Sequence, residues 1–275
     1  MSKVHFDWSP EKYFAVPAAS STNLRLFDRS PAHLRWALAN PKEATKAQKL
    51  GSLAHLAILE SAYFKENYYR GPEGDKRTKP VRALWLEAEE DFGAEFVLAP
   101  DLFDTIQSMR DAVQSHPVAS KLLLSEYGAD TEASCFWDDV FTDVACKARI
   151  DALPIGEYEG CVVDLKTTLD ASRDTFARSC FSFGYEIQAA HYLEAWSAAG
   201  DNERPSFLFV ALEKTPPFGC SVFCMDPASV ELGRRKLDRL LERWAWCESD
   251  DDWPGYEEGI QDLSLPGYAF TREIE

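Results

Sequence analysis

The hydrophobic positions divide the chain into a helical first third and a strand-rich centre. Ser20 and Ser21 stand as capping residues ahead of Leu24, Leu26 and Phe27, whose spacing predicts a short helix. Pro31 suits the first turn of a second helix, and Thr45 starts a longer one through Leu50, Leu53, Leu56 and Leu59. A loop rich in Gly, Pro and charge runs from Arg70 to Pro80, after which Val81, Leu84, Trp85 and Ala88 mark another helix. Two further short helices are predicted around 101–115 and 117–126.

From Asp130 the period changes. Ser134, Phe136, Trp137, Val140 and Phe141 begin a run in which β-branched and aromatic residues alternate with polar ones. The segments 144–152 and 161–168 flank Pro154, Gly156 and Gly160, which is turn chemistry, and so predict an antiparallel hairpin. A helical region follows over 174–199, with Gly184 as a candidate break. Ser206–Glu213 and Gly219–Met225 read as a second hairpin around Pro216 and Pro217, and Val230–Trp246 as an amphipathic helix across the sheet. The fold class expected is α+β, or mixed α/β.

Composition narrows the classes. At 275 residues, 45% hydrophobic and 13% aromatic, the chain has enough apolar surface for a real core, which excludes wholesale disorder. A formal net charge of −17 argues against a protein that coats nucleic acid by bulk positive charge, but leaves room for a local basic channel. No signal-peptide pattern and no apolar run of membrane-spanning length is present, so a cytoplasmic protein is expected. Seven scattered cysteines lack the tight pairing of zinc or redox sites and read as reduced, mostly buried thiols.

The candidate chemistry lies in the first hairpin. In a strand over Cys161–Thr168, Asp164 and Lys166 share one face while Val163 and Leu165 take the other. A turn centred near residue 157 or 158 sets Asp151 across from Asp164. Two carboxylates this close repel unless a proton or cation intervenes, and hard oxygen ligands suit Mg²⁺ or Mn²⁺. A lysine beside them can orient an attacking water or stabilise charge on a phosphoryl oxygen. Spacing alone fits a solvent-exposed Asp–Lys pair equally well.

The pattern Asp151…Asp164-Leu165-Lys166-Thr167-Thr168 resembles the PD-(D/E)XK nuclease motif. Its surroundings resemble the RecE-type branch, exodeoxyribonuclease VIII and its phage relatives. Ser30-Pro31-Ala32-His33 is similar to that branch's N-terminal signature, the run Gly51 to Glu60 to its histidine-bearing helix, and Tyr185-x-x-Gln188-x-x-x-Tyr192 to its Gln-x-x-x-Tyr helix. The resemblance covers roughly residues 20–247, with four motifs in order. It implies a restriction-endonuclease-like core, a central mixed sheet flanked by helices. A helical part over 20–126 and a catalytic part over 130–247 then form one nuclease domain, 1–247, followed by an acidic tail, 248–275.

Carried over residue by residue, the resemblance makes Asp151 and Asp164 metal ligands, the Leu165 carbonyl a further ligand, Lys166 the catalytic lysine and His55 the ligand from the helical side. Gln188 and Tyr192 would brace the site and contact the DNA backbone, although ordinary helix packing explains Tyr192 as well. Glu132 is a further candidate that either approaches the metal or caps the sheet edge. Mg²⁺, replaceable by Mn²⁺, is the implied cofactor. The first cysteine is Cys135 and no C-terminal triplet exists, so no iron–sulfur cluster is expected.

For DNA contact the sequence offers Arg70, Lys76, Arg77, Lys79 and Arg82, five bases against two acids over 70–82. Residues 232–243 have the same balance, but such a stripe is usually a solvated helix face. Trp85, Trp137 and Tyr185 are aromatic candidates for stacking on frayed bases, with burial in the core as the default. The resemblance implies a Mg²⁺-dependent exonuclease on linear double-stranded DNA, acting 5′ to 3′ and leaving 3′ single strands for recombination. It also implies a ring-shaped homo-oligomer, a single-strand annealing partner and a bacterial cytoplasmic setting, with the gene belonging to a phage or to its host. Two other readings stand beside it: an endonuclease or structure-specific repair nuclease of the same fold, and an inert nuclease-fold module that binds DNA or a partner. Of the acidic excess, nine acids against one base fall in residues 244–275.

Overall fold

The computed structural model describes residues 3–200 and 202–265. The chain opens with a short strand β1 (Lys3–His5) and a helix α1 (Pro10–Ala15), neither expected from the sequence because both are too short to show a period. Helices α2 (Ser21–Arg29), α3 (Pro31–Ala39) and α4 (Lys46–Leu59) then form where the capping residues placed them. The hydroxyls of Ser20, Ser30 and Thr45 each accept the N–H three residues on, and Gln48 closes a capping box on Thr45. The Ser30-Pro31-Ala32-His33 signature is therefore a helix start, Ser30 as cap and Pro31 in the first turn.

Next come α5 (Ser61–Asn67), β2 (Tyr69–Arg70), α6 (Lys79–Phe92), β3 (Val97–Leu98), α7 (Pro100–Ser115) and α8 (Ala119–Leu123). The strands β4 (Asp130–Asp138), β5 (Ala145–Leu153) and β6 (Cys161–Thr168) follow. Helices α9 (Arg173–Phe183) and α10 (Tyr185–Ala199) then lead to β7 (Ser206–Glu213), β8 (Cys220–Cys224) and α11 (Pro227–Asp250). The break at Gly184 is real. The strand expected to reach Phe141 ends instead at Asp138: Asp139 folds the chain into a tip by accepting the N–H groups of Phe141 and Thr142, which leaves Val140 and Phe141 in solvent.

Among the described residues the main sheet has the order β1-β4-β5-β6-β7-β8, antiparallel except for the parallel pair β6–β7 that α9 and α10 connect. Alternation along β6 and β7 feeds two cores. Val162, Phe207 and Phe209 meet Leu24, Phe27, Leu237 and Trp244 of α2 and α11 on one face. Val163, Leu165 and Val210 meet Ala54, Ile58, Met109 and Leu122 of α4, α7 and α8 on the other. Helix α11 runs past the expected Trp246, and the chain after it turns back: Trp253 packs edge-on against Phe27 and Trp244, and the Pro254 carbonyl accepts the Ala32 N–H. The first part of the acidic segment is thus docked on α2 and α3, while residues 266–275 lie outside those described. No helix among the described residues is long and apolar enough to cross a membrane.

Helices α10 and α11 cross with almost no separation at Gly233, where an added Cβ would lie 1.9 Å from the Glu186 carbonyl oxygen. Because the obstacle is backbone, the helices must move apart. Gly233→Ala is expected to cost about 1–3 kcal/mol of stability, read as a lowered thermal midpoint by circular dichroism.

Candidate active site

The site forms where β5 meets β6. Their ladder has a single Cα pair, Ala152 with Val163, and that register sets Asp151 opposite Asp164. The Leu165 N–H, which would otherwise look to β5 for a backbone acceptor, donates to Asp151 Oδ2 at 2.7 Å. One carboxylate therefore substitutes for a ladder bond and is anchored across the gap by it.

Asp164 is buried, at 2% exposure. Gln188 of α10 donates to its Oδ1 at 2.6 Å, and Lys166 forms an ion pair with its Oδ2, which accepts no aligned hydrogen bond. The Lys166 ammonium also lies 4.8 Å from the centre of the Tyr185 ring. Burial opposes the charge on Lys166, but Asp164 and Asp151 outweigh it and hold the ammonium above its usual pKa. Asp151 is pushed the other way, well above the ordinary carboxylate range, first by burial and then by the charge of Asp164.

His55 reaches the same place from α4. A Cβ on Gly51, one turn earlier, would lie 3.1 Å from the Thr167 hydroxyl, so glycine lets the helix settle close to the end of β6. His55 Nδ1 then sits 3.7 Å from Asp151 Oδ2. Burial and the nearby Lys166 lower the His55 pKa, and a hydrogen bond with the Leu165 backbone opposes them. Burial thus favours the neutral ring, the form that ligates metals.

Glu132 also belongs to this neighbourhood. Its backbone is left-handed, at φ 58°, unusual for a residue with a long side chain. The register of β4 on β5 runs Thr131 with Ala152 and Ala133 with Ile150, so Glu132 faces Asp151 at the interruption. Its side chain pairs with Arg149, yet burial and the Asp151 charge push its pKa up to about 7. Arg149 went unnoticed in the sequence. It donates from Nη1 to the Trp8 carbonyl at 2.8 Å and to Ser134 at 3.0 Å, tying the N-terminal segment to the site. The available signal was the alternation Lys147, Arg149, Asp151, three charges on one strand at period two.

The other candidates fall elsewhere. Gln188 and Tyr192 are 7% and 8% exposed and hydrogen-bond to one another, Tyr192 edge-on to Phe207, so they brace Asp164 from within and offer no surface to a DNA backbone. In the basic loop, Arg70 is held by Asp104 and Glu73, Arg77 by Asp75, and Lys76 by Glu89 and the Trp85 ring. Lys79 and Arg82 stay exposed at the start of α6 without an ion pair among the described residues. Trp85 and Trp137 are buried.

Among the described residues no three His, Cys, Asp or Glu side chains converge to cage an ion unaided. Two carboxylates, a carbonyl and solvent nevertheless match Mg²⁺, which binds through one or two carboxylates and keeps several waters. The raised pKa of Asp151, set by burial and then by the charge of Asp164, marks a place short of positive charge. A cation entering there must displace the Asp151 proton. Mn²⁺ affinity is therefore expected to rise about tenfold between pH 6 and pH 7. Calorimetric titration at the two pH values checks this; equal affinities would mean that Asp151 is an ordinary ionised carboxylate.

The fold agrees with what the chain is similar to. Over 96% of its length it superposes on 98% of a crystal structure, the "Putative exonuclease" from Eubacterium rectale, with a TM-score of 0.53 at 13% sequence identity. Comparison with curated proteins gives no match. The profile of the PDDEXK-like domain of unknown function (DUF3799) matches residues 20–265, which takes in the hairpin, the histidine helix, the glutamine helix and the docked segment after α11. Because that profile spans most of its length, this chain belongs to the PDDEXK-like domain family.

Proposed function

We propose that the protein is a divalent-metal-dependent deoxyribonuclease that degrades linear duplex DNA from its ends. The observation that carries this reading is the buried group formed by Asp151, Asp164 and Lys166, backed by Gln188 and faced by His55. A structural ion pair has no need of a second buried carboxylate.

Asp151, Asp164 and the Leu165 carbonyl would hold the cation, with His55 beside them. That cation supplies Lewis-acid polarisation of the phosphoryl oxygen and a lowered water pKa. Lys166 holds its proton firmly between the two carboxylates, so it acts as a fixed positive charge. It can orient an attacking water or meet the charge that develops on the phosphoryl oxygens. Gln188 fixes the Asp164 carboxylate in one rotation, and Tyr192 fixes Gln188. The Leu165 N–H does the same for Asp151. Such supports matter because a catalytic constellation works only within a narrow range of geometry.

End dependence, 5′-to-3′ polarity, ring assembly and hand-over of 3′ single strands to an annealing partner enter this proposal through the resemblance to RecE-type enzymes. The test is a time course on 5′-labelled and 3′-labelled linear duplex beside a closed circle. The 5′ label should be released first and the circle left intact. Nicking of the circle would favour the endonuclease reading, and prior release of the 3′ label would reverse the polarity.

A further inference from the structure

The catalytic lysine is the inner end of a row of rings that leads to the surface. Lys166 lies against Tyr185, and Tyr185 stacks on Phe183 with centroids 5.7 Å apart and planes 29° from parallel. Residues two apart on one helix do not face each other. They do here because Gly184 between them is left-handed, at φ 64°, ending α9 and starting α10. Tyr185 is wedged from behind by Phe176 and Phe209, whereas Phe183 is 53% exposed.

Arg25 of α2 adds charge at the outer end. Its Nη1 donates to the Phe183 carbonyl at 3.3 Å, and it forms no ion pair among the described residues. Behind the ring lies a cavity of about 270 Å³ lined by Arg25, Asp28, Phe183, Ile187, Glu186 and Lys236. Glu186 is engaged there by Lys236 at 2.5 Å. An exposed ring thus lies one ring outward from the lysine, with an unpaired guanidinium and an open cavity beside it.

We propose that Phe183, supported by Tyr185 and flanked by Arg25, is a base-stacking subsite for an unpaired nucleotide next to the phosphate being cut. A stacking platform takes any base, since every base has a π-face, and Arg25 meets the backbone beside it. A base-paired nucleotide cannot offer its face to Phe183 while it remains stacked in the duplex. The subsite therefore favours frayed or single-stranded ends over blunt ones. This inference rests on the nuclease reading of the neighbouring site.

The test uses the full chain in chelator and a single-stranded deoxyoligonucleotide with a fluorescent adenine analogue near its end. Wild type should bind and quench the analogue. Phe183→Ala should weaken binding at least about fivefold and abolish the quench, given what one stacked base contributes. Phe183→Trp should restore both. Phe141→Ala, which removes an exposed ring elsewhere, should change neither. Binding and quenching by Phe183→Ala at the wild-type level would overturn the subsite, as would equal loss in Phe141→Ala or in Phe183→Trp. Hydrolysis of linear duplex with Mg²⁺ is measured on the same wild-type preparation. If that hydrolysis is present but Phe183→Ala binds normally, only the subsite falls; if wild type neither binds nor hydrolyses, the nuclease reading falls with it.

Discussion

Asp164→Asn and Lys166→Met are each expected to reduce Mg²⁺-dependent hydrolysis of linear duplex DNA by a factor of about 10²–10³ or more, the range for removing one preorganised charge-stabilising group. Both substitutions nearly preserve shape. Asparagine at 164 keeps an oxygen for the Gln188 amide, so the link between β6 and α10 survives. It loses the charge that faces Lys166 and the cation. Without metal this variant loses the Lys166 ion pair but also the repulsion that, after burial, raises the pKa of Asp151, so its thermal midpoint should stay near that of wild type. With Mn²⁺ the wild-type thermal midpoint should rise and that of Asp164→Asn should not, since a ligand stabilises only the state that binds it. Lys166→Met leaves both carboxylates facing each other without the ammonium, so part of its loss should appear as a requirement for more metal. Activity assays paired with thermal scans separate these effects from misfolding. A variant that folds and cleaves like wild type would remove the site assignment.

Arg149→Met is expected to be the most destabilising of the substitutions considered, at about 3–5 kcal/mol, the cost of breaking a buried ion pair from one side. The guanidinium is 12% exposed and serves three acceptors at once, Glu132, the Trp8 carbonyl and the Ser134 hydroxyl. Its removal strands Glu132 beside Asp151 and releases the segment before α1. Denaturant unfolding should show the loss. Limited proteolysis should show early cleavage near the N-terminus, because Lys147, which holds the Tyr13 and Val16 carbonyls, remains as the other tether. Adding Glu132→Gln to Arg149→Met should recover part of the stability, since no charge is then left without a partner. A loss below about 1 kcal/mol would mean that the pair is solvated and weak.

Most of the framework was legible because its signals are local. Ser20, Ser30 and Thr45 cap helices whatever packs against them, and the period-two alternation of β5 and β6 reflects one face buried on each side. The pairing of Asp151 with Asp164 followed from the centre of a turn. What the sequence hid depends on long-range packing. A three-residue strand such as β1 has no period to read, and it forms because β4 offers it an edge. Val140 and Phe141 look like strand residues until Asp139 draws the turn around itself. The loop 70–82 looked like a basic surface, but Asp75, Glu89 and Asp104 fold back onto it; the last lies 34 residues from its arginine. Tyr185 was one of three equivalent aromatics until Gly184 turned it toward Lys166.

The net charge of −17 takes its meaning from this arrangement. Nearly half of the excess lies after Trp244, and Trp253, Pro254 and Tyr256 of that stretch are docked on α2 and α3. Charge at the active hairpin is balanced within it, two carboxylates against a lysine, with a cation to complete the set. On the nuclease proposal, DNA contact is then expected to be confined to a small region and sensitive to salt.

The most direct test of the central claim is release of acid-soluble nucleotides from linear duplex DNA by the purified full chain, with Mg²⁺ and with chelator. Release with Mg²⁺ that stops in chelator is the predicted result. No release with Mg²⁺ or Mn²⁺ from folded protein, or release that continues undiminished in chelator, would contradict a metal-dependent nuclease built on Asp151, Asp164 and Lys166.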